Sequence, residues 1–217
     1  MSTATSFVLA SRSPRRRELL GLLVPADRIV VVAPPDAAEL GFDGLRGLAA
    51  IERRLAEIAG RKAADVAGQL ALKNASSSGR EVIIAADTTI VAAADDGTRH
   101  VLGQPPEDDS WKNVVRQWFR EYYAGRTHRA LTALCVRGPR GEIVEQVVGT
   151  DVTFFADVES RLEWYIKTEE PRGKAGGYAI QGAGSVFISR VGGSLSNVVG
   201  LPLEALLDVF KELQIVI

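Results

Sequence analysis

Cysteine is almost absent: Cys135 is the only one, so no intramolecular disulfide can form. Its place in the apolar run Ala133 to Val136 reads as a buried, inert thiol. Histidine is nearly as scarce. His100 and His128 stand apart in the sequence, which excludes a thiolate or histidine-rich zinc site and leaves, for any metal, a hard cation on oxygen ligands. Charge of neither sign prevails, with 26 basic against 27 acidic residues and a net charge of -1. No global field therefore steers nucleic acid or a membrane surface toward the chain, and any anion site has to be local. No run approaches the ~20 apolar residues of a membrane-spanning helix. The N-terminal apolar run Phe7 to Ala10 is too short for a signal-peptide core and leads at once into arginines, so the cytoplasm is the expected compartment. A phosphate-binding GxxxxGK loop ending in Ser or Thr is missing, as are a GxGxxG turn after a strand and a G-x-S-x-G elbow.

What is present is an ordinary globular composition, 46% hydrophobic and 24% charged over 217 residues, expected to fold nearly end to end. Strand periodicity predicts strands at Phe7–Ala10, Val82–Ala94, Ala130–Val136, Ile143–Phe154 and Ser185–Val191, with Val101–Leu102 returning after the turn Asp95-Asp96-Gly97. Helical spacing predicts Leu48–Ala67, Asp109–Ala124 and Asp157–Lys167, and a last helix opened by Pro202 with Leu203, Leu206, Leu207, Phe210 and Leu213 inward. Ser13 and Pro14 read as the N-cap and first residue of another. Strands interleaved with helices and joined by hairpin turns indicate an α/β fold with a mixed sheet.

Four features fit poorly with a purely structural role. Arg12 and Arg15 to Arg17 crowd the start of a helix, where basic charge opposes the helix dipole at ~0.3 to 1 kcal/mol each. A bound phosphate would supply the missing negative charge there; a solvated basic face countered by Glu18 is the other reading. Asp87 lies in the middle of the β-branched run Ile83 to Val91, where a carboxylate must be paired, metal-bound, at a cleft or capping a loop. Lys62 falls on the apolar stripe of its helix, either snorkelling outward or reaching a phosphate or Asp87. Finally, the stretch Glu169 to Gly184 carries glycines at 173, 176, 177, 182 and 184, which suit either tight turns or close approach to a ligand.

Four blocks, LASRSPRRRELL, AADTTIV, LGQPPED with GRTHRALTA, and KAGGYAIQGAG with SNVVGLPLEAL, closely resemble the Maf family of nucleoside triphosphate pyrophosphatases from Val8 to about Leu207. The resemblance implies one domain over 1–217, two-lobed and Maf/ITPase-like: an elongated, twisted mixed β-sheet flanked by helices, with a nucleotide cleft between the lobes. It implies hydrolysis of a nucleoside triphosphate to monophosphate and pyrophosphate. Ser11, Arg15 and Arg16 match positions on the triphosphate, Lys62 and Lys174 further phosphate or charge partners, and Asp87 a general base and metal contact, with Mg²⁺ or Mn²⁺ as cofactor. Thr88 and Gln181 match positions of base selectivity. His128 and the Tyr-x-Ile-Gln form of the glycine loop resemble the branch acting on dTTP and UTP; the other branch favours CTP and 7-methyl-GTP.

Three positions depart from the pattern. Gln104 stands where the family often has a phosphate-contacting lysine. Pro34-Pro35 leaves Asp36 and Glu39 as alternatives for an acidic, metal-side residue. Gly173 replaces an aspartate before Lys174. Gln104 keeps open a second reading, a catalytically weak nucleotide-binding regulator of cell division or septum formation. A third, nucleic-acid binding through Arg12 to Arg17, conflicts with the net charge. A homodimer is compatible with a chain of this size.

Overall fold

The computed structural model describes residues 5–35, 41–73 and 81–217. Among them run seven strands in one mixed sheet, β1 (Ser6–Leu9), β2 (Ile29–Val31), β3 (Glu81–Ala93), β4 (Arg99–Leu102), β5 (Thr127–Arg137), β6 (Ile143–Phe154) and β7 (Ile188–Gly192). Their order is β2-β1-β3-β5-β6-β7, with β4 also on β3. β1 pairs in parallel with β2 and β3, whereas β3, β5, β6 and β7 are successively antiparallel. The parallel part needs crossovers, which α1 (Pro14–Leu20) and α2 (Leu48–Lys73) provide.

Alternation of side chains along β3 assigns its residues to two faces. Ile83, Ala85 and Val91 pack under α2, whose stripe Ile51, Leu55, Ala59, Ala63 and Val66 is fully buried. On the opposite face Val82, Ile84 and Ala86 meet Phe7, Leu9 and the helix α6 (Leu203–Glu212) through Leu206 and Phe210. Further along that second face Ile90 and Ala92 enter an aromatic core with Trp111, Phe119, Tyr123, Phe154 and Phe187. This core is covered by α3 (Trp111–Trp118), which continues as a π-helical turn Phe119–Tyr123, and by α4 (Glu159–Lys167). Cys135 is buried, and burial pushes its thiol up to about 12, so it stays protonated and inert.

The sequence pattern errs at a few places. The last strand starts only at Ile188, because Ala183–Phe187 forms a 3-10 turn that sends Phe187 into the aromatic core. α2 extends to Lys73 rather than Ala67. Leu207 is 41% exposed, so the apolar face of α6 is narrower than expected. A five-residue helix, α5 (Leu195–Val199), capped by Ser194, is too short to show a period.

Candidate active site

The edge of β3 opposite β5 is shared by two strands that do not meet. β1 pairs with it as far as Leu9 opposite Ile84, and β4 begins only at Leu102 opposite Ile90. Between them the edge from Ala85 to Thr89 is left to the loops that leave each strand, Ser11–Ser13 after β1 and Gly103–Gln104 after β4. A cavity of about 900 Å³ lies at this break, lined by both loops, α1, α2 and the glycine-rich segment after α4.

The same alternation that builds the two cores orients the chemistry. Asp87 has the parity of Ile83 and Ala85 and therefore points toward α2, where Lys62 donates from Nζ to its Oδ1 at 2.6 Å. Both side chains are less than one-fifth exposed, and an ammonium at this distance compensates a carboxylate that would otherwise be costly to desolvate. Across the sheet Asp87 faces Ala133, whose small side chain leaves room. Thr88 points the other way. Its hydroxyl accepts from Arg16 Nη2 at 3.1 Å and shares a hydrogen bond with Thr132, its cross-strand neighbour, at 3.0 Å.

Arg16 is held on three sides, since Nε also donates to the Gly200 carbonyl at 2.8 Å and Nη1 to the Ser11 hydroxyl at 3.2 Å. Ser11 Oγ in turn accepts the Ser13 N–H at 3.1 Å, and Ser13 Oγ caps α1 by accepting from the Arg16 N–H. The first turn of α1 thus contains no acidic residue and presents Arg15 and Arg16 to the cavity. Arg17 is exposed and does not line it. Thr132 donates to the backbone carbonyl of buried Asn197, whose Nδ2 donates to Ala130 O and Thr150 Oγ1, so α5 and its Gly200 are fixed behind Arg16.

The glycine-rich segment closes the site from the far side. Gly176, with φ 70°, passes so near the sheet that a Cβ would lie 2.6 Å from Ile90 Cγ1 and from the Tyr123 hydroxyl. Its N–H donates to Gly103 O and its carbonyl accepts from Tyr123, which binds the segment to both β4 and the aromatic core. Lys174 Nζ donates to Glu170 O at 2.9 Å and to Arg172 O at 3.3 Å. Burial, followed by the nearby charge of Arg15, pulls its ammonium below the ordinary lysine value. Tyr178 shares a 2.8 Å hydrogen bond with His128 Nε2; Tyr178 lines the cavity, while the His128 ring is buried behind it.

Ser11, Arg15, Arg16, Lys62, Asp87, Thr88, Gln104, Lys174 and Gln181, dispersed over 170 positions of sequence, all line this one cavity. Asp36 and Glu39 lie outside the described residues. A model of the family described as Maf-like protein matches residues 6–213. The chain belongs to the Maf family. A dTTP/UTP pyrophosphatase of Anaeromyxobacter dehalogenans strain 2CP-C is 38% identical over 92% of this chain and 90% of its own length. Proteins of the same name from Deinococcus radiodurans and Pyrococcus horikoshii are 37% and 32% identical, covering 96% and 94% of this chain and 93% and 95% of their own. A dITP/XTP pyrophosphatase from Mycobacterium abscessus has a TM-score of 0.43 at 14% identity, covering 95% of this chain and 93% of its own, a distance that adds nothing to the family match.

Several cavity residues of this Maf chain carry no signal in the sequence. Arg61 and Asp65 sit on the exposed side of α2 beside Lys62, and Glu107 follows the two prolines after Gln104. Val198 and Val199 reach the cavity only because α5 is anchored through Asn197. Asn197, which follows Ser194 and Ser196 and precedes two valines, is the one hint, since an asparagine amide folded inside must be satisfied there.

Proposed function

We propose that this chain hydrolyses dTTP and UTP between the α and β phosphorus atoms, releasing the nucleoside monophosphate and pyrophosphate. The observation that carries this reading is the break in the β3 edge, where an arginine-lined helix start and a Lys62–Asp87 pair face one cavity. We read the same break as the cleft between two lobes, one built on β1, β2, α1, α2 and α6, the other on β4 and the aromatic core. The relatives' names supply the substrates. The protein is an enzyme of nucleotide metabolism, read here as cytoplasmic; no helix among the described residues is long and apolar enough to cross a membrane.

The residues divide by chemistry. Arg15, Arg16 and Ser11 take the triphosphate, with the fork of Arg16 already oriented by Gly200, Ser11 and Thr88. Lys174 faces the same anion from the glycine-rich segment. A water attacks the α-phosphorus and gives its proton to Asp87; a P–O bond forms, the bond to the bridging oxygen breaks, and pyrophosphate leaves with the negative charge. Cationic groups preorganised around that leaving group stabilise it most, because the charge grows there during the reaction. Thr88 and Gln181 lie where the base is read.

No group of three His, Cys, Asp or Glu residues among the described ones builds a cation cage. One carboxylate is nevertheless enough for Mg²⁺ or Mn²⁺, which keep several waters and bind chiefly through substrate phosphates. Asp87 fits that demand, with Asp36 or Glu39 as the second oxygen donor. When bound, such a cation supplies charge neutralisation on the phosphates.

Product analysis with a panel of nucleoside triphosphates and either cation tests the reading: monophosphate plus pyrophosphate, fastest with dTTP or UTP, is expected. Diphosphate plus orthophosphate would refute it. Asp87→Asn should abolish turnover while leaving the chain folded, at a thermal midpoint lowered by loss of the charge paired with Lys62, and retained turnover would remove Asp87 from the role of base. A nucleotide-binding regulator of cell division is the second reading, favoured by Gln104, a neutral side chain on the cavity wall where the family often places lysine. It predicts thermal stabilisation by nucleotide without any product.

A further inference from the structure

The segment between α4 and β7 must admit a nucleotide and still hold Gln181 in one place. Regular structure gives it little support, only the 3-10 turns Ala175–Gly177 and Ala183–Phe187. One side chain joins its two ends. Glu170 Oε1 accepts from the Tyr165 hydroxyl at 3.1 Å and the Gly184 N–H at 2.8 Å, and Oε2 accepts from the Ala183 N–H at 2.7 Å. Its backbone carbonyl accepts from Lys174 Nζ at 2.9 Å. The whole cavity-lining stretch from Lys174 to Gln181 is therefore strung between two attachments to a single residue.

Gly182 shows what the seat requires. Its backbone is extended, at φ −119° and ψ −153°, which any residue can adopt. A Cβ there would nevertheless collide with the Glu170 carboxylate. Glycine at this position thus serves the carboxylate rather than a turn. Charge-assisted acceptance from two backbone N–H groups is stronger than a neutral hydrogen bond, and glutamine cannot replace it, because its NH₂ would face one of those donors.

We infer that Glu170 is a positioning residue whose carboxylate seats the amides of Ala183 and Gly184, holds Gln181 beside them in place, and thereby sets nucleotide selectivity. This rests on the proposed function for the role of Gln181, and the experiment separates the two. Glu170→Gln, Gly182→Ala and the double variant are compared with the wild-type chain in KM, kcat and the ratio of kcat/KM for dTTP over CTP. Amide exchange at Ala183 and Gly184 is followed in parallel.

Each single variant is expected to raise KM about 10-fold, lower kcat less, narrow the dTTP preference and speed exchange at both amides. The double variant should be no worse than either single, since both remove one seat. Unchanged KM and selectivity in either variant despite faster exchange would overturn the inference, and so would additive losses in the double. Should Glu170→Gln fail to fold, Gly182→Ala decides alone, because the nearest atoms to its methyl are the flexible end of a glutamate. A wild-type chain that turns over no nucleotide would overturn the proposed function instead. The seat would then be judged by exchange: unchanged protection in Glu170→Gln refutes it, and lost protection upholds it.

Discussion

His128 is the residue whose protonation the fold opposes most directly. The residue is 2% exposed, its ring is enclosed by Tyr123, Phe154 and Tyr178, and its Nδ1 has no hydrogen-bond partner among the described residues. Burial pulls its pKa down to about 3 from 6.5. A depressed histidine stabilises the fold only above its unfolded pKa: as pH falls below 6.5 the unfolded chain takes up the proton and the folded chain does not. Stability should therefore decline from pH 6.5 toward about 3 by roughly 1.4 kcal/mol per unit. Between about pH 7.5 and about pH 5.5 the loss from this group alone comes to about 1.4 kcal/mol, or roughly 3 to 6 °C in thermal midpoint. Carboxylates contribute too, so the measurement is a difference: urea denaturation of wild type and His128→Gln at both pH values. Glutamine keeps a polar group near Tyr178 but cannot titrate. The variant should lose about 1.4 kcal/mol less than the wild type over that interval. Parallel losses in the two proteins would refute the claim that the folded state holds this ring neutral.

Three further perturbations probe the cavity. Arg16→Lys keeps the charge but not the fork that meets Gly200, Ser11 and Thr88, so kcat/KM should fall about 100-fold with little change in thermal midpoint; a loss under about threefold would show that charge alone suffices. Gly176→Ala forces a methyl against Ile90 and Tyr123 from a backbone at φ 70°, and should cost about 3 kcal/mol or more in urea denaturation. Gln104→Lys adds a cation to the cavity wall and should lower KM for dTTP by roughly 10-fold, an effect that salt should weaken; unchanged KM would mean that Gln104 does not face the phosphates.

The parts legible in the sequence were those governed by short-range period. The strand β3, the stripe of α2, the Ser13 cap with Pro14 behind it and the antiparallel pair β5–β6 all follow from spacing over a dozen residues or fewer. So did the anomaly of Asp87, since a carboxylate in a β-branched run is visible without a structure. Its partner was not decidable. Lys62 could equally have snorkelled into water, and only the packing of α2 on the face shared by Ile83 and Ala85 brings its ammonium to 2.6 Å from Oδ1. Period 2 does say that Asp87 and Thr88 look in opposite directions, but not which helix waits on each side.

Glu170 was illegible for a related reason. In sequence it is one of two adjacent glutamates before a proline, indistinguishable from exposed Glu169. What separates them is a contact with amides 13 and 14 residues away, across a segment that has no period at all. The same holds for the cavity itself. It exists because β1 stops pairing at Ile84 and β4 starts at Ile90, and neither strand alone encodes the gap. A continuous neighbour along that edge would have paired the backbone of β3 from Ala85 to Thr89. Two short strands entering from opposite ends leave the edge open where Asp87 and Thr88 stand, and deliver the loops carrying Ser11 and Gln104 to the same opening. The site is thus a consequence of two strand lengths, and residues from both loops can converge on one ligand without any motif joining them in sequence.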